Sequence, residues 1–149
     1  MEVAAILADH LGCWKLVGSH EVRIDEDLIW FRNHGDINLA NQKQFYALCY
    51  AMYLQWGYIL SLNDVRDLST ITPEARRALN DEMRQQIYPS YTAIYGANPA
   101  IRTIAALGQR GIRLLTGKIF PIGFAKDEKE ARTLLAQQRI LLTAARGVK

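Results

Sequence analysis

The chain has 149 residues, half of them apolar and 22% charged, which suits one globular domain able to bury about two-thirds of its unfolded surface and excludes a disordered segment. A net charge of +3 is a mild basic bias, too small by itself to indicate a nucleic-acid partner. Cys13 and Cys49 stand alone with no CxxC pair, which excludes a disulfide framework and fits a reducing cytoplasm.

Residues 1–19 read as an N-terminal extension with a short helix before Gly12. Its apolar run Val3-Ala4-Ala5-Ile6-Leu7-Ala8 follows Glu2 where a signal peptide would carry basic residues, and no small-residue cleavage site comes after it. His20 to Asp25 partly alternates and Leu28 to Phe31 is a compact apolar run. With Asp25-Glu26-Asp27 between them, they predict a β-hairpin. A long helix is expected from Asp36 or Asn38 to Trp56, with Phe45, Leu48, Cys49, Met52 and Trp56 on one face. Tyr46, Tyr50 and Tyr53 widen its apolar arc, so the helix must be covered on two sides. Gln44 to Asn63 is uncharged over 20 residues, long enough to cross a bilayer. Its aromatics lie in the interior, where a membrane span would place them at its ends. The tract therefore reads as a helix stopped near Gly57 and a central strand from Tyr58 to Leu62, and no transmembrane segment is expected.

Asn63 to Thr72 reads as a loop leading into the clearest helix start of the chain. Thr72 is the N-cap, Pro73 occupies the first helical position and Glu74 supplies a first-turn acid. Ala75, Leu79, Met83 and Ile87 form the expected buried stripe. Tyr91 to Tyr95 is a short strand. Asn98-Pro99 repeats the cap signature for a helix with Ile101, Ile104 and Ala105 inward, broken by Gly108 and Gly111. Ile119 to Ala125 reads as a last edge strand, because Pro121 cannot donate to a ladder. The final helix opens at Asp127 and Glu130 and continues past Leu142. This order predicts an α/β domain over residues 20–149. It would hold a mixed sheet of four to five strands, an antiparallel N-terminal hairpin, right-handed crossovers, and helices packed on the sheet with an extended C-terminal helix.

With the elements in this order, the run Tyr58-Ile59-Leu60-Ser61-Leu62-Asn63-Asp64-Val65 and the ending Phe124-Ala125-Lys126-Asp127-Glu128-Lys129-Glu130-Ala131 resemble STAS domains. These are the sulphate-transporter and anti-sigma-factor-antagonist domains. The resemblance extends from about Val17 to Leu135 and includes Gly18-Ser19-His20-Glu21-Val22 and the turn Gly35-Asp36. It implies a bacterial, cytoplasmic, non-enzymatic regulatory module that binds a protein partner. In the antagonists a serine in an Asp-Ser-Ser-Gly motif is phosphorylated to switch partner binding. The matching stretch here is Asp67-Leu68-Ser69-Thr70-Ile71-Thr72-Pro73-Glu74, without the serine pair or the glycine, which makes Ser69, Thr70 and Thr72 the candidate phosphoacceptors.

Independently of the resemblance, the carboxyl ends of parallel strands and the amino ends of the following helices lie along one sheet edge. Asp64, Arg66 and Asp67 would meet Gly96, Asn98 and Arg102 there, beside two helix amino ends that favour an anion. The simpler reading is that Thr72 and Asn98 are caps worth about 1 kcal/mol each. Tyr46, Tyr50 and Tyr53 serve either as a partner or homodimer surface or as packing beneath another element. The basic residues Lys129, Arg132, Arg139 and Arg146 read as the solvated face of the last helix, and a nucleic-acid partner is not expected. His10, His20 and His34 lack metal-ligand spacing, no GxSxG, GxxxxGK[ST] or GxGxxG loop occurs, and no cofactor or catalytic residue is indicated. Two functions remain in play: a partner-binding regulatory module, and a carrier or sensor of a small anionic or lipid ligand.

Overall fold

Each strand pairs with the one that follows it in the chain. The structure, a computed structural model, describes residues 3–85, 89–117 and 121–147. Within them one sheet runs in sequence order through β1 (Lys15–Val17), β2 (His20–Asp25), β3 (Leu28–Ile37), β4 (Ile59–Ile71), β5 (Ser90–Tyr95) and β6 (Ile122–Ala125). The first two pairings are antiparallel and the other three parallel. The mixed sheet with its antiparallel start is as expected, but it has six strands, not four to five. Part of the excess comes from the segment before His20, where β1 pairs with β2, and Leu7 of α1 (Val3–Ala8) is 1% exposed. This is the mixed α/β sheet that the resemblance to STAS domains implies.

The parallel connections are α2 (Leu39–Trp56), α3 (Pro73–Gln85) and α4 (Pro99–Thr116), and α5 (Glu128–Gly147) follows β6. Crossovers of one hand that advance across a sheet in one direction deposit their helices on the same face. Accordingly α2, α3 and α4 pack side by side on one face with α1 against α2, and α5 covers the other face alone. Two apolar clusters result. The three-helix face holds Ile29, Phe31, Phe45, Leu48, Met52 and Ile101. The α5 face holds Leu28, Trp30, Leu60, Leu62, Tyr91 and Leu135.

Local chemistry sets the helix ends. Asn38 and Asn41 form a reciprocal capping box at the start of α2, and Gly57 ends that helix with a left-handed φ of 84°. The uncharged tract is thereby divided, and no helix among the described residues is long and apolar enough to cross a membrane. Thr72 Oγ1 accepts from the Ala75 N–H at 3.3 Å, Asn98 Oδ1 from Ile101 N–H at 2.9 Å, and Asp127 Oδ1 from Glu130 N–H at 2.9 Å. Gly108 and Gly111 do not break α4, which continues to a C-cap at Gly117. Interior glycines cost about 1 kcal/mol each, and here packing overrides that propensity.

The largest departure from expectation is β4. Asn63 to Ile71 is strand, not loop, paired with β3 as far as Ile37↔Ile71. Between Arg32↔Asp64 and His34↔Asp67, β3 advances two residues while β4 advances three, and the same slip recurs before Ile71. These two bulges bring Val65, Leu68 and Ile71, three apart in sequence, into the same apolar cluster. Of the predicted stripe on α3, Ala75 is fully buried, whereas Leu79 and Met83 are only half-buried. Ile87 lies outside the described residues, as does Ile119 of the predicted edge strand.

Candidate functional site

The residues expected at the strand-end edge separate into two groups. Asp64 is buried at the end of the β4–β5 pairing, opposite Tyr95. Arg66 donates to it twice, from Nε at 3.0 Å and Nη2 at 2.7 Å, and the Arg66 backbone N–H adds a third bond at 3.1 Å. Burial pushes the Asp64 carboxyl up, but these donors, together with Tyr95, hold it below its ordinary value of 3.8. Burial and the neighbouring Asp64 charge in turn raise the Tyr95 phenol to about 12. Gly96, at φ 80°, lies directly against Arg66, and a Cβ there would run into the arginine side chain. Asp64, Arg66 and Gly96 thus form one cluster. It is a neutralised ion pair, with the guanidinium turned onto Asp64 and the Tyr95 ring, not a free cation awaiting an anion.

Arg102 stays beside the β5–α4 turn, where its Nε donates to the Ala97 carbonyl at 3.5 Å, but it turns away from the Asp64–Arg66 pair, its guanidinium carbon 5.0 Å from the ring centroid of Phe124 of β6. Asn98 and Thr72 are occupied as caps. Asp67 is exposed and lies 3.4 Å from His34 Nδ1, while His34 Nε2 is 2.9 Å from Glu21. Ser69 is exposed, Thr70 and Thr72 are half-buried, and Ser69 and Thr70 sit on a strand instead of a helix-capping loop. The ribbon they belong to projects past the rest of the sheet. β4 pairs with β5 only as far as Asp64↔Tyr95, so among the described residues its positions 65–71 have a strand neighbour on the β3 side alone.

The tyrosines of α2 form a ladder, with Tyr46 and Tyr50 ring centroids 6.2 Å apart and Tyr50 and Tyr53 6.3 Å apart. Tyr50 is exposed, and Tyr53 packs against the core. On α5 the basic residues are not simply a solvated face. Arg139 makes two bonds to buried Asp27, at 2.8 and 2.9 Å, and Tyr58 Oη donates to the same carboxylate at 2.8 Å. Arg132 lies over the Trp30 ring at 4.6 Å.

A second site went unread in the sequence. Between the sheet and the three-helix layer lies a cavity of about 660 Å³, within the range of small-molecule sites. Its floor is a polar stripe across β3, β4 and β5, formed by Asn33, Ser61, Asn63 and Thr92. Ser61 Oγ and Thr92 Oγ1 are 2.9 Å apart, and Asn63 Nδ2 donates to Ser61 Oγ at 3.3 Å. Asn33 is 4% exposed, and its Oδ1 has no hydrogen-bond partner among the described residues. The helices supply an apolar roof that includes Phe45, Met83, Ile101 and Ile104, and Arg76 and Arg77 contribute from the solvent side. Glu82 accepts from Gln42 Nε2 at 2.9 Å, and burial raises its carboxyl above the usual 4.5. Cys49 also lines the cavity, but burial pushes its thiol up to about 12, far from a reactive thiolate. A readable signal existed. Central strands of a parallel sheet covered on both faces should read as nearly continuous apolar runs, whereas β4 alternates Leu60, Ser61, Leu62, Asn63.

The fold has counterparts among solved structures. The chain superposes on the anti-sigma factor antagonist SpoIIAA in its unphosphorylated form with a TM-score of 0.53 and 14% identity, covering 83% of this chain and 98% of that one. It superposes on an uncharacterised DUF3478-family protein with a SpoIIAA-like fold from Shewanella loihica PV-4 with a TM-score of 0.51 and 18% identity, covering 76% and 89%. No family model matches the sequence, and no curated protein matches it.

Proposed function

We propose that the chain is a non-catalytic regulatory module that binds a protein partner along the projecting β3–β4 ribbon. One observation carries this reading: among the described residues, 65–71 of β4 have a strand neighbour on one side only, in a stretch that exposes Arg66, Asp67 and Ser69. A strand with an open side offers backbone donors and acceptors to an incoming chain, and the exposed side chains supply selectivity. The likeness to an anti-sigma factor antagonist supports the reading at the level of fold. Ser69 is the best-exposed of the three candidate phosphoacceptors. A phosphate there would add up to about two negative charges beside Asp67 and oppose an acidic partner.

Affinity capture followed by hydrogen exchange on the purified complex tests it. The expected result is a partner whose binding protects residues 65–71 and is lost in Asp67→Lys/Ser69→Arg. Protection confined to other elements, or capture unaffected by the double substitution, would overturn it. A second reading, the carrier or sensor of a small ligand, is favoured by the cavity beneath α2, α3 and α4 and shifts the ligand site there from the strand-end edge.

A further inference from the structure

We infer that this cavity binds a neutral amphiphile, a small molecule with an apolar body and an uncharged hydroxyl or amide head seated on the polar stripe of the sheet. The inference rests on the small-ligand reading and is independent of partner docking at the ribbon. Three observations lead to it.

The first is that the stripe is misplaced for a purely structural sheet. Asn33, Ser61, Asn63 and Thr92 face a layer of helices from three neighbouring strands, where an ordinary α/β core would present valine, isoleucine or leucine. Polar side chains are retained in a core only at a cost in desolvation, which a ligand that uses them offsets. The second is Asn33 itself. Its Oδ1 is buried with no donor, and such a group costs about 1–3 kcal/mol until something donates to it. Asn33 lines the cavity, and a small turn of its amide toward that space lets a ligand hydroxyl or amide N–H supply the donor.

The third observation is the distribution of charge. Among the described residues no Lys or Arg lies on the sheet floor, and the cations that line the cavity, Arg76 and Arg77, are exposed on α3. The carboxylate that lines the cavity is Glu82, whose carboxyl burial already drives toward its neutral form. A carboxylate or phosphate head placed on the stripe would be buried with no countercharge, which is prohibitive. An ammonium head would meet amide and hydroxyl dipoles but no fixed anion on the floor. An uncharged head fits. The apolar body then lies against Phe45, Met83, Ile101 and Ile104.

The test titrates the full chain with three probes of equal length, 1-decanol, decanoate and decylammonium, by calorimetry and thermal shift. Decanol is expected to bind saturably at one to one and raise the melting temperature, with the two ions at least about tenfold weaker. In Ala105→Trp, which places an indole in the cavity from α4, decanol binding is expected to vanish while the melting temperature holds or rises. Asn33→Ala is expected to weaken decanol about tenfold, the loss of one buried hydrogen bond. Should Ala105→Trp fail to fold, Asn33→Ala and Thr92→Val provide the same comparison from the floor. Decanoate binding as tightly as decanol, with both abolished by Ala105→Trp, would overturn the neutral class and leave the cavity a ligand site. Failure of all three probes to bind, or binding indifferent to Ala105→Trp, would overturn the site as well.

Discussion

The two faces of the sheet are built by opposite rules. On the α5 face large side chains alternate along the strands and meet one helix closely. Leu60 and Leu62 are fully buried, Ala131 and Leu135 of α5 complete the layer, and a Cβ on Gly123 would run into the Tyr91 hydroxyl. On the other face the central strands present hydroxyls and amides, and α3 and α4 stand over a cavity of about 660 Å³. Close packing gives stability, and a helix layer held off its sheet gives room. The molecule has separated these two tasks onto opposite sides of one sheet.

Truncating a side chain on each face tests that contrast most severely. Leu62→Ala should cost about 3–4 kcal/mol in denaturant unfolding, because it opens a new void in a filled layer. Ile104→Ala should cost about 1 kcal/mol or less, since Ile104 already borders empty space and is half-buried. Equal losses would erase the distinction. Next in size is Asp27→Ala, which removes the acceptor shared by Tyr58 and Arg139. About 2 kcal/mol should be lost, reduced from the value for a fully buried pair because Arg139 is partly exposed.

The pH response should come from the three-helix side. His20 is 0% exposed and packs edge-on to Phe45 with ring centroids 5.6 Å apart. Its Nδ1 accepts from the His34 N–H at 3.0 Å, which leaves Nε2 protonated to donate to the Asp36 carbonyl at 2.9 Å. The ring is therefore neutral. Burial lowers its pKa below 6.5, so the unfolded chain binds the proton more readily than the folded one. The stability from this group is complete above about pH 6.5 and is lost as pH falls from there through the lower folded value. Melting temperatures between pH 7.5 and 5.5 should fall in the wild type and flatten in His20→Gln. The smallest expected effect is Ser61→Ala/Thr92→Val. Replacing both members of a hydrogen-bonded pair by apolar groups is nearly neutral, and the Asn63 amide that loses Ser61 as acceptor is only half-buried, so stability should change by under about 1 kcal/mol while decanol binding drops.

What could be read in the sequence follows the range of the interactions involved. The starts of α2, α3, α4 and α5 were legible at Asn38, Thr72-Pro73, Asn98-Pro99 and Asp127, because a cap and its partner lie three residues apart. The stop at Gly57 was legible for the same reason. β1 was not, since three residues carry no period and exist as strand only through β2. The far half of β4 was hidden more thoroughly. Val65, Leu68 and Ile71 break the two-residue alternation, and only pairing with β3, bulged twice, turns that spacing into a strand. The proximity of Arg66 to Gly96 was legible from topology, whereas the turn of Arg102 onto Phe124 depended on where β6 would sit. The cavity floor was written plainly as Leu60-Ser61-Leu62-Asn63 and read only as a strand.

Strand order that equals chain order has a consequence for assembly. Each new strand finds its neighbour already made, so the sheet can grow from the amino terminus as the polypeptide leaves the ribosome, with short loop closures at each addition. α5 is the exception. It is synthesised after the whole sheet it must cover, and until Glu128–Gly147 docks, the surface of Trp30, Leu60, Leu62 and Tyr91 stays bare to solvent. That interval is the nascent chain's most adhesive moment, and docking of α5 ends it.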